Sequence, residues 1–191
     1  MNSKGRFGLV LFAALTTVAL LGMTQGWQAW ADDDDDDDPP PAPMMYRVVI
    51  QNLSAGQPLS PPIAATHRGG LELFKVGHRA SDELEAIARD GDQLPMFDLL
   101  SRSGRVYEVV DLARPLTPFG TSVGSFGDAA EFLVLGREGD TLSLATMLVC
   151  TNDGFIGLDR AKPPKTGSEV FTLHGYDSGT EDNTELSTDI V

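Results

Sequence analysis

Residues 141–158, TLSLATMLVCTNDGFIGL, decide the fold of this chain. A ten-residue segment at 141–150 in which apolar residues predominate is followed by the turn residues 152–154 and then by a second apolar segment at 155–158. Two short runs of this kind, separated by Asn, Asp and Gly, predict two β-strands joined by a turn. The turn contains an acid, Asp153. Its side chain either only stabilises the turn or also takes part in a binding site.

Further strands are predicted along most of the remaining chain. The segments are rich in Val, Leu, Ile and Phe and are bounded by Gly, Pro, Asp and Asn, which is typical of strands. They are residues 46–53, 71–76, 106–112, 131–135 and 170–175. The intervening GREGD, residues 136–140, predicts a hairpin connection.

Helical character is confined to one connection. Residues 81–89, SDELEAIAR, begin with a capping serine, carry acids in the first turn and are followed by Gly91, and LPMFDLL at 94–100 predicts a second short helix. Strands and helices do not alternate, which argues against a doubly wound fold. The chain is therefore predicted to be mostly β, a single antiparallel β-sandwich with one or two short helices in a connection.

The N-terminus has the pattern of a secretory signal peptide. Lys4 and Arg6 precede an apolar run of about 17 residues, and the segment ends in Ala-Trp-Ala at 29–31. We expect residues 1–31 to be a signal peptide cleaved after Ala31, and the protein to be secreted or held in the periplasm or cell envelope. The alternative is a retained membrane anchor, although the run is near the lower length limit for a span.

An acidic, proline-rich stretch follows the predicted cleavage site. Seven aspartates at 32–38 precede PPPAP at 39–43, and such a run stays solvated because like charges repel. Residues 32–45 are predicted to be a disordered spacer and residues 46–191 a single domain. Without residues 1–31 the chain has 12 basic and 28 acidic residues, a formal charge of −16. That balance argues against binding nucleic acid or anionic membranes.

Cys150 is the only cysteine, so no internal disulfide can form. Because it ends the apolar run TMLVC at 146–150, it is predicted to be a buried strand thiol rather than a reactive one.

One stretch matches a catalytic pattern by its letters. GTSVG at 120–124 fits G-x-S-x-G, and Asp153 or Asp159 and then His174 follow it. The mechanism needs a strand before the serine and a helix after it, and neither is predicted here. A glycine-rich loop is the preferred interpretation, and a small secreted serine hydrolase using Ser122, Asp153 and His174 is the alternative.

The C-terminal segment concentrates acids, with Asp177, Glu181 and Asp182 in six residues. Calcium takes six to eight oxygen ligands, and a single loop rarely supplies them all. Asp153 would be the partner if the fold brings the two segments together. The alternative is an ordinary solvated acidic loop.

Four stretches together resemble the spondin N-terminal domain family, in its stand-alone exported bacterial members related to F-spondin and mindin. They are YRVVIQNLSAGQPLSPPIAATH at 46–67, LFKVGHRASDELEAIARDGD at 73–92, TNDGFIGLD at 151–159 and YDSGTEDN at 176–183. The resemblance implies a C2-like β-sandwich that holds a calcium ion through Asp153, Asp177 and Glu181. The animal pattern has Asp where this chain has Glu181, so Asp182 is a rival ligand.

These observations predict a non-enzymatic, calcium-binding module for binding or adhesion. The expected partners are calcium and either a surface glycan or an extracellular protein, with no nucleic acid and no stable membrane span after signal cleavage. A structural envelope protein without a diffusible ligand is a further alternative.

Overall fold

A computed structural model describes residues 7–13 and 42–182 of the chain. It is mostly β, with two short helices, as the sequence predicts. The elements in chain order are β1 Phe7–Ala13, β2 Met44–Gln51, β3 Ile63–His67, α1 Asp82–Asp90, α2 Leu94–Arg102, β4 Val106–Asp111, β5 Ser122–Val123, β6 Phe126–Gly127, β7 Ala129–Gly136, β8 Thr141–Met147, β9 Gly154–Ala161 and β10 Ser168–Asp177.

The strands form two antiparallel layers that share one strand. Five strands pair in the order β4-β3-β8-β9-β10, and the pairing continues through β10 to β1, β2 and β7. Residues 174–177 of β10 pair with β9, whereas residues 168–173 pair with β1. β10 therefore passes from one layer into the other. β5 and β6 form a separate two-residue ladder.

The central strand β8 is buried along its whole length, because both of its faces are covered. Leu142 and Leu144 pack into the core between the two layers, with Val48 and Ile50 of β2. Ala145 instead faces a second cluster that contains apolar side chains of both helices. Both faces are buried but they differ in composition, since Leu142 and Leu144 face the core between the layers whereas the Ser143 hydroxyl lies 2.8 Å from Nε2 of the buried His67.

Both predicted helices are present, and the first is capped as expected. The Ser81 hydroxyl accepts a hydrogen bond from the amide of Leu84, and Gly91 ends the helix with φ of 64°. Leu84 and Ile87 of α1 are fully buried against the five-stranded layer. The helices thus form a third layer over β3 and β8.

Two sequence predictions are wrong, one about a strand and one about a connection. Residues 71–76 form no strand: the amide of Leu73 donates to the Asp159 carboxylate at 3.2 Å, and Leu71, Leu73 and Phe74 pack on the helix cluster as a loop. Residues 136–140 are not a hairpin either. β7 pairs with β2, whereas β8 pairs with β3 and β9, so this link crosses between the layers.

The prediction of a buried Cys150 is also wrong. β8 ends at Met147, and Cys150 lies in the turn beyond it with an exposed thiol. The apolar run continues past the strand because Leu148 packs against the core between the layers. β2 starts at Met44, two residues before the predicted strand at 46–53.

β1 comes from the predicted signal peptide and pairs with both β10 and β2. The cleavage site at Ala31 and the aspartate run at 32–38 lie outside the described residues. Among the described residues, no helix is long and apolar enough to cross a membrane.

Candidate functional site

Asp153 lies in the turn before β9 and is almost completely buried, with 1% of its surface exposed. Its Oδ2 accepts hydrogen bonds from the Ser178 hydroxyl at 3.0 Å, the Thr180 amide at 3.0 Å, the Thr180 hydroxyl at 3.2 Å and the Glu181 amide at 3.0 Å. One carboxylate oxygen therefore anchors the loop that follows β10. Asp153 is more than a turn residue.

The pairing of β9 with β10 brings the two acidic segments together. Asp177 is opposite Gly154 at the end of this ladder, so the turn before β9 and the loop after β10 emerge side by side. The Ser178 amide donates to the Asp153 carbonyl at 3.1 Å. The Asn152 side chain donates to the Asp182 carbonyl at 3.2 Å.

The Asp153 carboxyl is held in its ionised form. Burial raises its pKa, but the hydrogen bonds from the Glu181 and Thr180 amides and from the Ser178 and Thr180 hydroxyls lower it more. The pKa of Asp153 therefore lies below its ordinary value, because a carboxylate that accepts several hydrogen bonds is stabilised in its charged form. The end of the sandwich thus contains a buried negative charge.

The other three predicted ligands lie in the same loop, and the carboxylates of Asp177 and Glu181 have different partners. Asp177 is exposed and its Oδ1 accepts the Gly179 amide at 2.7 Å. Glu181 pairs with Arg89 of α1, with 3.0 Å between Oε1 and Nε. Asp182 is exposed. Within residues 7–13 and 42–182, no three His, Cys, Asp or Glu side chains are grouped so that they could hold a metal ion.

The donor atoms nevertheless suit calcium, which prefers oxygen ligands. Every hydrogen bond that Asp153 accepts through its side chain from another described residue ends on Oδ2, which leaves Oδ1 for a cation. Asp177 would supply a second carboxylate, and Glu181 or Asp182 a third. Glu181 would first have to leave Arg89.

A group of residues that the sequence interpretation missed lies beside these loops. Phe74, Phe155 and Tyr176 form an aromatic trio with ring centroids 5.2–5.5 Å apart. They line a pocket together with the basic loop 75–79 and with Asp177 and Ser178. The sequence does indicate the basic part of this group, because KVGHR at 75–79 places three basic residues close together in an acidic chain.

The three residues of the hydrolase alternative are not arranged as a triad. Ser122 is exposed in β5, which is followed by the hairpin to β6 and by no helix. His174 is exposed and pairs with Gly157 in the β9–β10 ladder. Asp153 accepts its side-chain hydrogen bonds from the 178–181 loop, and none of the hydrogen bonds described here joins any two of the three residues.

No protein-family model matches the chain, and a search of curated proteins finds no match either.

Proposed function

We propose that this chain is an exported β-sandwich that binds calcium between the 151–154 turn and the 177–182 loop and acts as a binding module at or outside the cell envelope. The observation that carries the proposal is the buried Asp153 carboxylate, whose Oδ2 accepts four hydrogen bonds from Ser178, Thr180 and Glu181. Such a pre-ordered carboxylate lowers the entropic cost of forming an ion site.

The charge of this end of the molecule favours a cation. Asp153, Asp177 and Asp182 lie within two adjacent loops, and the chain has a formal charge of −14. Bound calcium would neutralise carboxylates that otherwise repel one another. Its contribution would be structural, because it would hold the two loops in one arrangement and so form a rigid binding face.

The resemblance to spondin N-terminal domains supports the same ligands, Asp153, Asp177 and Glu181, with Asp182 as the rival. The family relationship remains a prediction on the four sequence stretches. Export remains a prediction on the pattern of residues 1–31. The partner of the binding face is proposed to be a surface glycan or an extracellular protein.

Thermal unfolding with calcium and with chelator tests the proposal. Extracellular modules bind calcium with dissociation constants of about 10⁻⁴–10⁻³ M, and tenfold excess over such a constant stabilises a fold by about 1.4 kcal/mol. For a domain of this size we expect Tm to rise by about 3–6 °C.

The variants Asp153→Asn and Asp177→Asn should each reduce the calcium-dependent rise in Tm. Asp111→Asn, which changes an exposed carboxylate on β4, is the matched control and should keep the full rise. Equal melting curves with calcium and with chelator for the unchanged protein would contradict the proposed calcium site.

A further inference from the structure

Strand β1 fills a gap between β2 and β10 that is one strand wide. It pairs antiparallel with residues 168–173 of β10 along one edge and with residues 46–51 of β2 along the other. Neighbouring strands lie about 4.8 Å apart, so these two walls of the gap are about 10 Å from each other. In the part of the chain that the structure describes, β2 and β10 are not neighbours in the sheet. Each wall therefore turns backbone donors and acceptors toward β1.

Both walls are also held in place by contacts that do not involve β1. β2 pairs with β7 along its whole length, Met44–Gln51. Its residues Val48 and Ile50 are buried in the core between the layers. β10 continues into the five-stranded layer, where residues 174–177 pair with β9. Direct pairing of β2 with β10 would need a shift of about 5 Å, which would pull buried side chains out of the core. We therefore expect the gap to stay open when β1 is removed.

The proposed export would remove β1, because β1 lies within the predicted signal peptide 1–31. The rest of the chain has no suitable replacement outside the strands described above. Residues 32–41 are seven aspartates and three prolines, and both residue types are depleted in strands. Residues 183–191 have apolar residues only at 186, 190 and 191, without the two-residue alternation of a half-buried strand. A second exported copy would lack such a segment as well.

The residues of the two walls specify the kind of strand that fits between them. The core-facing residues of the walls are apolar, namely Val48, Ile50, Phe171 and Leu173. Val170 and Thr172, which alternate with them on β10, are exposed. Residues that pair directly across two antiparallel strands lie on the same face of the sheet. The gap therefore fits an extended segment that has apolar residues at every second position.

We propose that in the exported protein this gap binds an extended segment of a different protein, which pairs antiparallel with both β2 and β10. Unpaired strand edges are templates for pairing with another chain. Main-chain hydrogen bonds to the two edges supply affinity, and the core-facing positions supply selectivity. The inference rests on the proposed export. It goes beyond the proposed calcium site, because the surface between residues 46–51 and 168–173 differs from the 151–154 and 177–182 loops.

The test uses a synthetic peptide of residues 4–14 as the probe and the protein that begins at Asp32 as the receptor. Hydrogen exchange of the receptor is measured with and without the peptide. At a peptide concentration ten times the dissociation constant, exchange at 168–173 should slow about tenfold, because binding lowers the population of the open state by that factor. The full chain, in which β1 fills the gap, should show no such slowing.

Protection of residues 141–147 of β8 shows whether the receptor is folded. We expect these amides to be protected with and without the peptide. A receptor that becomes folded only when the peptide is added would support the inference equally. A receptor that stays unfolded in excess peptide would contradict it.

Two variant peptides test the register. Leu9→Asp with Leu11→Asp places two charges opposite buried residues of β2 and should weaken binding at least about tenfold, because burying an unpaired charge is costly. Gly8→Asp with Val10→Asp is the matched control. It places the same two charges opposite residues of β2 that are only partly buried, and it should bind within a few-fold of the unchanged peptide.

Four results would each overturn the inference. Slow exchange at 168–173 in the receptor alone would show that the gap closes or that two copies pair. The others are unchanged exchange at 168–173 in excess peptide, equal losses for the two variant peptides, and equal peptide binding by the full chain.

The proposed function is measured separately. Peptide binding is repeated in calcium and in chelator, and Tm is recorded in both. A calcium-dependent rise in Tm without peptide binding would remove the partner strand and leave the calcium site. Peptide binding without any effect of calcium on Tm would do the reverse. Mass spectrometry of the exported protein reads its N-terminus, and an intact segment 1–31 would contradict the cleavage on which the inference rests.

Discussion

The carboxylate of Asp153 accepts two hydrogen bonds from Thr180, one from its backbone amide at 3.0 Å and one from its hydroxyl at 3.2 Å. The two residues are 27 positions apart in the chain, and the β9–β10 ladder brings them together. This contact closes one end of the sandwich around a buried negative charge.

Replacing Asp153 with Asn should destabilise the protein by about 1–2 kcal/mol, because the amide oxygen still accepts hydrogen bonds but without the charge that strengthens them. Urea unfolding measures the free energy. Asp177→Asn is the control, because its exposed side chain keeps an acceptor for the Gly179 amide. Equal stability of Asp153→Asn and the unchanged protein would show that the buried charge contributes nothing.

The stability conferred by Asp153 should depend on pH. Its pKa in the folded protein lies below the ordinary value of 3.8, so its contribution is complete above that value and is lost as pH falls through the folded pKa. Urea unfolding between pH 6 and pH 2 should give a shallower acid-induced loss of stability for Asp153→Asn. Parallel curves for the variant and the unchanged protein would contradict this.

Arg89 should compete with calcium for Glu181. Arg89→Gln removes the 3.0 Å ion pair and leaves Glu181 available, so calcium affinity should rise a few-fold if Glu181 is the third ligand. Calcium titration of the variant measures this. Unchanged affinity would favour Asp182 as the ligand. Arg102→Gln, which removes a comparable pair with Asp98 on α2, should have no effect.

Gly157 should not tolerate a side chain. A Cβ at this position would overlap the ring of Phe74, which packs on Phe155. Overpacking of this kind costs about 1–3 kcal/mol, and the displaced ring would disturb the pocket. Gly104→Ala is the control, since nothing lies within 4 Å of the position. Equal stability of the two alanine variants, measured by urea unfolding, would contradict the prediction.

Signal cleavage should change the sheet. Among the described residues, β1 is the only strand partner of 168–173 in β10. Removal of residues 1–31 therefore leaves these backbone groups without that partner. Hydrogen exchange should be faster at 168–173 in the protein that begins at Asp32 than in the full chain, with residues 141–147 of β8 unchanged. Equal exchange at 168–173 would contradict the assignment of β1 as their partner.

The sequence by itself determined the β-rich class, the positions of most strands and both helices. These features depend on local patterns, such as the Ser81 cap, the Gly91 stop and the apolar run of β8. It also singled out Asp153 and the 177–182 loop, because acids beside Gly and Thr form a recognisable local pattern.

Only the tertiary structure decided how those pieces meet. GREGD looks like a hairpin because turn residues do not encode which strands pair across them. Residues 71–76 look like a strand because burial against helices selects the same apolar residues as burial in a sheet. The contact of Asp153 with Thr180 and the pairing of Glu181 with Arg89 depend on distances between remote segments. Those distances are set by the sheet register, which no local pattern specifies.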